Sequence, residues 1–428
     1  MDLAIFSCCY YYWLAVYFGF RRVSLFFINS LVSLYMDRFY NPYTPNSGAK
    51  PPDLVGREGL RDRFLVALKR VRIGRSAKGI VVVGLRGVGK TTLLNQLRDD
   101  AEASNALIVY VKAHAQLSLP ALLTPGLQTV LLRLERVESA QAAASRGLRG
   151  LTGFVRALNG RYGDIPVSGC YQPEPGFADN GDLEGDLTEV FAQVGSAAQL
   201  AKASVVILVD DLHRLDERQL AALIAAMHRS AQGALPILLV GAGYPNLRGK
   251  ASGLKPYTER LFEYAELGPL DPEHARTALV KPAQDNGVVV DEAAADLVLD
   301  LAKGYPFFIQ QWGKCLWDTA PRNQFTVDVV QFAMPRVMAA LDQNFFAVGT
   351  DRLSLAERRY LWAMAELGTG PHHAIEISRS LGMPCEAVDF VRRSLIDQEL
   401  LWSSDDAGTS FAAPLFDQFI RRFMDKQP

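Results

Sequence analysis

The stretch Ile80-Val81-Val82-Val83-Gly84-Leu85-Arg86-Gly87-Val88-Gly89-Lys90-Thr91-Thr92 decides how this chain is read. Its β-branched run suits a strand buried on both faces. Gly84 to Thr91 then match the pattern G-x-x-x-x-G-K-S/T in full. Glycines let successive backbone N–H groups curl around a phosphate, and the helix opening near Lys90 points its positive end at it. Lys90 is placed to bridge the outer phosphates of ATP or a close relative, and the Thr91 hydroxyl to ligate Mg2+. Gly84, Gly87, Val88, Gly89, Lys90, Thr91 and Thr92 are therefore the expected nucleotide-binding residues.

The complementary half of such a site is a strand that ends in acids, and residues 205–209 run into Asp210-Asp211. Asp210 is expected to hold Mg2+ through water and Asp211 to polarise the attacking water. Acids at a strand end also serve as helix caps, so the pair gains its meaning from the loop upstream. Glutamate is common at the second position of this layout, and the shorter Asp211 points to slow turnover. His213, just past the pair, has two readings, a histidine facing the site or, the favoured one, an exposed histidine at a helix start. No Ser-His-Asp set or dinucleotide fingerprint competes with the loop.

Composition agrees with a globular multidomain protein. The chain has 428 residues, 49% hydrophobic and 21% charged, enough for two or three domains. A net charge of −1 gives no global attraction to nucleic acid or acidic lipid. The five cysteines (Cys8, Cys9, Cys170, Cys315, Cys385) are scattered, without metal-ligand spacing or a disulfide frame. They suit a reducing, cytoplasmic setting. Residues 1–35 form an apolar segment with two readings: a membrane anchor facing the body of the protein to the cytoplasm, or an artefact of start assignment with Met36 the true start.

Beyond a Pro-rich lead-in (36–52), strands are expected at 80–83, 107–111, 205–209 and 237–240, alternating with amphipathic stretches in the manner of an α/β domain with a parallel sheet. Residues 137–180 look like an irregular surface excursion. After Pro269 strands vanish and helical periodicity takes over, with caps and breakers at Asp271-Pro272, Asn286-Gly287, Asp291 and Gly304. The expected units are an ATPase core (53–270), a helical lid (271–346) and a third unit (347–428) with a hairpin turn around Asp405-Asp406-Ala407-Gly408.

Several segments resemble the ORC-like and STAND-like branch of the AAA+ P-loop ATPases, in a bacterial ATP-binding form. Leu54-Val55-Gly56-Arg57-Glu58 resembles the box that these proteins place before the phosphate loop, which implies that Val55, Gly56 and Arg57 cradle adenine and ribose. Gly241-Ala242-Gly243-Tyr244-Pro245-Asn246-Leu247 lies at the sensor-1 region, and the resemblance makes Asn246 a γ-phosphate sensor. Arg260 lies where relatives carry an arginine finger for a neighbour's ATP. Gly304-Tyr305-Pro306 resembles a motif in which the lid touches nucleotide, implying contacts from Tyr305 and Pro306. Replication initiators usually carry an arginine in the next helix, but Phe307-Phe308-Ile309-Gln310-Gln311 has none. The last unit resembles a winged helix, with helices at 374–381 and 385–398 and a wing at 400–402 and 410–412.

The resulting expectation is an α/β P-loop NTPase with a parallel sheet, a helical lid and a winged-helix domain. It binds ATP with Mg2+ and works as a nucleotide-driven conformational switch for a protein partner or as a homo-oligomer. The alternative is a DNA-associated oligomeric initiator or loader, or a transcription-regulatory ATPase, using the winged helix. Residues 352–428 hold nine Lys/Arg against eleven Asp/Glu, a poor balance for phosphate neutralisation.

Overall fold

The structure is a computed structural model, and it describes residues 36–424 apart from 47, 115, 163, 164, 166–170, 322 and 405–407. The apolar segment 1–35 and most of the turn expected at 405–408 lie outside the described residues. Among the described residues, no helix is long and apolar enough to cross a membrane.

The first unit runs α1 (Glu58–Arg72), β1 (Gly79–Val83), α2 (Lys90–Ala103), β2 (Leu107–Lys112), α3 (Leu119–Glu135), α4 (Gln141–Leu158), α5 (Leu183–Leu200), β3 (Val205–Asp210), α6 (Glu217–Gln232), β4 (Ile237–Gly243), α7 (Leu247–Leu254), α8 (Thr258–Leu261) and β5 (Phe262–Glu266). The strands form one parallel sheet in the order β2-β3-β4-β1-β5. Strand alternation divides the interior into two cores. Ile80, Val82, Val206, Leu208, Leu238 and Val240 face one, whereas Val81, Val83, Val205, Ile207, Val209 and Leu239 face the other. Both faces are covered, as the continuous apolar runs require.

Two expectations fail here. Residues 137–180 are not simply a surface excursion, because α4 fills much of that span and buries Leu148, Leu151, Phe154 and Val155 in the second core. The glycines that made it look irregular are packing positions: a Cβ at Gly147 would come within 2.7 Å of Leu131, and one at Gly150 would strike the Phe177 ring. The fifth strand, β5, follows α8 and lies outside the four expected runs. It pairs with β1 along the sheet edge, where Glu263 and Glu266 interrupt the apolar pattern.

The second unit comprises α9 (Pro272–Gln284), β6 (Val289–Val290), α10 (Glu292–Ala302), α11 (Pro306–Thr319), β7 (Gln324–Phe325) and α12 (Val327–Leu341). It is helical as expected except for the parallel pair of two-residue strands β6 and β7. Asp271 caps α9 by accepting from the Glu273 and His274 amides, with Pro272 in the first turn where its missing N–H is harmless. The third unit holds α13 (Leu355–Leu367), α14 (Ala374–Leu381), α15 (Cys385–Asp397), the antiparallel β8 (Leu401–Ser404) and β9 (Gly408–Phe411), and α16 (Phe416–Met424). His372 bridges to Thr409 beside the hairpin. One continuous core joins the sheet face to both helical units, from Phe64 and Leu94 through Trp312 and Phe346 to Leu361 and Phe419.

Candidate nucleotide site

The loop after β1 opens at the carboxyl end of the sheet, where β1 is flanked by β4 and β5 and the chain crosses to the far edge for β2. Crevices form at such a switch point. Gly87 (φ +85°) and Gly89 (φ +94°) carry the loop through backbone that side chains resist, and α2 starts at Lys90. The Lys90 ammonium is held by its own loop, donating to the carbonyls of Gly84 and Leu85, both at 2.8 Å. Burial lowers its pKa to about 8, against the opposing charges of Asp211, Glu399 and Asp210.

The Thr91 hydroxyl donates to Asp210 Oδ2 at 2.8 Å. Asp210 is 1% exposed. Burial and the neighbouring Asp211 carboxylate push its pKa up, while Thr91 and Lys112 oppose. A hydroxyl and a carboxylate in contact form a hard-oxygen pair that would hold Mg2+, which would supply charge neutralisation on bound phosphates. Among the described residues no cluster of three or more His, Cys, Asp and Glu is gathered as a metal site. Asp211 takes a left-handed backbone (φ +53°) that starts the short turn Leu212–Arg214. Its carboxylate lies 3.6 Å from Lys112 Nζ.

These residues line a cleft of about 1040 Å³, at the upper end of the roughly 300–1,000 Å³ usual for ligand pockets. Val55, Arg57, Gly87, Val88, Gly89, Lys90, Thr91, Thr92, Asp211 and Pro306 all reach it. Arg57 is fixed by donating to the Gly268 carbonyl at 2.9 Å. The remaining candidates lie elsewhere. Gly84 serves through its carbonyl on Lys90, and Asp210 stands behind Thr91. Gly56 packs against His274. Tyr305 is buried with its ring 5.4 Å from Phe308, leaving Pro306 and Phe307 to face the cleft. Asn246 is exposed at the start of α7 and does not reach the cleft; Tyr244 does, its ring centroid 5.4 Å from Lys90 Nζ. Arg260 is exposed on α8 and away from this cleft.

Sequence reasoning missed three contributors. The lead-in is a strap: Tyr43 is buried and donates its hydroxyl to the Leu279 carbonyl. The Thr44 amide donates to Gln310 Oε1 at 3.1 Å, and Asn95 donates to the Gly48 carbonyl at 2.9 Å, so residues of this segment wall the cleft. Besides Arg57, the arginines facing the cleft are Arg86, Arg214 and Arg352 rather than one in α11, which presents Gln310 and Gln311. Arg86 lies over the Phe345 ring at 4.9 Å, and burial lowers its pKa. Finally, Asp397, Gln398, Glu399 and Leu400 of the third unit enter the cleft. His213 is not an exposed histidine: its side chain is 12% exposed, and its Nε2 lies 3.0 Å from Glu399 Oε1. Of these, only the prolines around the strap offered any sequence signal.

A parallel sheet with a phosphate loop after β1 and an acidic strand end across from it defines a P-loop nucleotide-binding domain. Residues 53–240 match the family model described as AAA ATPase domain, which supports an AAA+ P-loop ATPase fold for that part of the chain. Residues 343–420 match a family described as a domain of unknown function (DUF8462). No curated protein matches the chain. Among solved structures, a Walker-type ATPase of Pyrococcus abyssi is similar at 15% identity and a TM-score of 0.55, covering 87% of this chain and 97% of that one, a likeness of fold. Looser likenesses are the ORC1 protein of Aeropyrum pernix in complex with DNA (16% identity, 92% and 98% covered, TM-score 0.47), and the RuvB Holliday junction branch migration motor of Thermotoga maritima (17% identity, 85% and 95% covered, TM-score 0.42).

Proposed function

We propose that this protein binds ATP with Mg2+, hydrolyses it slowly, and uses the cycle to switch the arrangement of its core, lid and C-terminal unit. The observation that carries this reading is one cleft walled by all three: the phosphate loop, the first turn of α11 and the residues that follow α15. Lys90 binds the outer phosphates. Thr91 and Asp210 hold the metal, which supplies charge neutralisation on the phosphates. Asp211 orients the attacking water, and Val55 and Arg57 border the base and ribose. A nucleotide that contacts the closed arrangement better than the open one shifts the population toward it.

The helix–turn–helix and hairpin of the third unit support a winged-helix reading, facing protein rather than DNA. Asp389 pairs with both Arg392 and Arg393, each at 2.6 Å, which neutralises the two cations offered for phosphate contact. The test is ATP binding and turnover by the full chain beside Lys90→Ala. The parent is expected to bind and hydrolyse, while Lys90→Ala loses at least about a hundredfold in affinity, equivalent to ~2.7 kcal/mol. Equal binding by both proteins overturns the assignment. Arg260, as a finger in trans, contributes only to assembly-dependent turnover; an unchanged rate in Arg260→Ala under assembling conditions removes that role.

A further inference from the structure

A carboxylate of the C-terminal unit lies among the cations of the phosphate site. Glu399 follows α15 in left-handed backbone (φ +63°), and its side chain is 19% exposed. Its Oε1 accepts from Arg214 Nη2 at 2.5 Å and lies 3.0 Å from His213 Nε2. Its backbone carbonyl accepts from the Tyr244 hydroxyl at 3.0 Å. Lys90 and Arg86, from the phosphate loop itself, also act on it electrostatically. Arg214 closes the short turn Leu212–Arg214 that begins at Asp211 and lines the cleft.

A half-buried carboxylate paired with Arg214 and His213, in the field of Lys90 and Arg86, meets the same partners that a terminal phosphate recruits, since arginine forks fit both anions. We propose that Glu399 and the terminal phosphate of ATP compete for Arg214, which makes Arg214 the residue that distinguishes ATP from ADP and Glu399 the latch that ties the distinction to the C-terminal unit. This rests on the reading of the cleft as an ATP site. ADP ends one phosphate short and leaves Arg214 with Glu399, so the unit stays docked. ATP adds negative charge beside Glu399 and draws Arg214 to itself, so the unit is released. Coupling of this kind is reciprocal, and docking weakens ATP by the same factor that ATP weakens docking.

The experiment is titration of the full chain with Mg–AMP-PNP and with Mg–ADP, for the parent, Glu399→Gln and Arg214→Ala. Glu399→Gln keeps shape and hydrogen bonding but removes the charge. It is expected to raise AMP-PNP affinity about tenfold and ADP affinity less than twofold. Arg214→Ala is expected to lower AMP-PNP affinity about tenfold with little effect on ADP. Hydrogen exchange in the parent reads docking without a substitution: the amides of residues 397–402 should exchange faster with AMP-PNP than with ADP. A parent that binds neither nucleotide overturns the ATP site and the latch together. A parent that binds both, with equal exchange at 397–402 and an unchanged AMP-PNP to ADP ratio in both variants, overturns the latch alone. Should Glu399→Gln fail to fold, Arg214→Ala and the parent's exchange decide it.

Discussion

Gly87 holds the phosphate loop against an aromatic layer, and two constraints meet there. Its backbone is left-handed at φ +85°, and a Cβ would approach Phe345 Cε2 to 2.9 Å. The Phe345 ring is itself fixed, 5.0 Å from Phe307 and beneath the Arg86 guanidinium. An alanine there has to strain the backbone, at about 1–2 kcal/mol, and displace either the loop or the ring. Gly87→Ala is therefore expected to lower nucleotide affinity roughly tenfold or more, by the conversion of that strain, while circular dichroism shows an unchanged helix content. Gly89 has nothing within 4 Å of its Cβ position, so its alanine variant meets only the backbone strain. A larger loss at Gly89 than at Gly87 contradicts this account.

At the scale of elements, Glu357 organises the C-terminal unit. It completes the capping box of α13 with Ser354 and also accepts from Ser394 Oγ at 2.7 Å and Gln398 Nε2 at 2.6 Å. It thus ties the start of α13 to the end of α15, one residue before Glu399. Burial raises its pKa, but the hydrogen bonds from Ser394, Ser354 and Gln398 outweigh it, and the carboxyl titrates below its ordinary range. The sign follows: a depressed folded pKa gives stability that is present above the unfolded value of about 4.3 and lost as pH falls through the folded one. Glu357→Gln is expected to remove about 1.5–3 kcal/mol, the usual contribution of hydrogen bonds to a charged group. Thermal unfolding between pH 3 and 6 should show the parent losing stability on acidification more steeply than the variant. Parallel curves contradict the role.

For the whole molecule, the continuous core makes the second helical unit and the C-terminal unit extensions of one sheet face rather than separately tethered bodies. The strap is the outermost piece of that arrangement. Tyr43 packs on α11, where a Cβ at Gly313 would strike its ring, and Trp317 Nε1 donates to the Asp37 carbonyl at 2.9 Å. Tyr43→Ala should destabilise by roughly 3–5 kcal/mol, as large aromatic truncations do. Because Thr44, Pro45, Asn46, Gly48 and Ala49 wall the cleft, nucleotide affinity should fall with it. Denaturant unfolding monitored by tryptophan fluorescence, with nucleotide titration of the same variant, checks both; lost stability with undiminished affinity separates the strap from the site.

The local structure of the candidate phosphate site was legible in the chain because it depends on short runs. Ile80 to Thr91 dictates strand, loop and helix start by backbone freedom and spacing alone, and Val205 to Asp211 does the same for the acidic strand end. β1, β3 and β4 announced themselves because both their faces are buried, and β2, a half-buried edge strand, because its run is still apolar, whereas β5 at the other edge mixes acids with aromatics and does not. α4 was hidden because its glycines report on neighbours far along the chain, Leu131 and Phe177, rather than on local flexibility. Tertiary structure alone brought Arg214 and Tyr244 together with Glu399, across more than 150 residues of chain. No sequence period marks such a meeting, since it exists only once the C-terminal unit packs against the sheet and places a carboxylate among cations of which local sequence had assigned only Lys90 to phosphate.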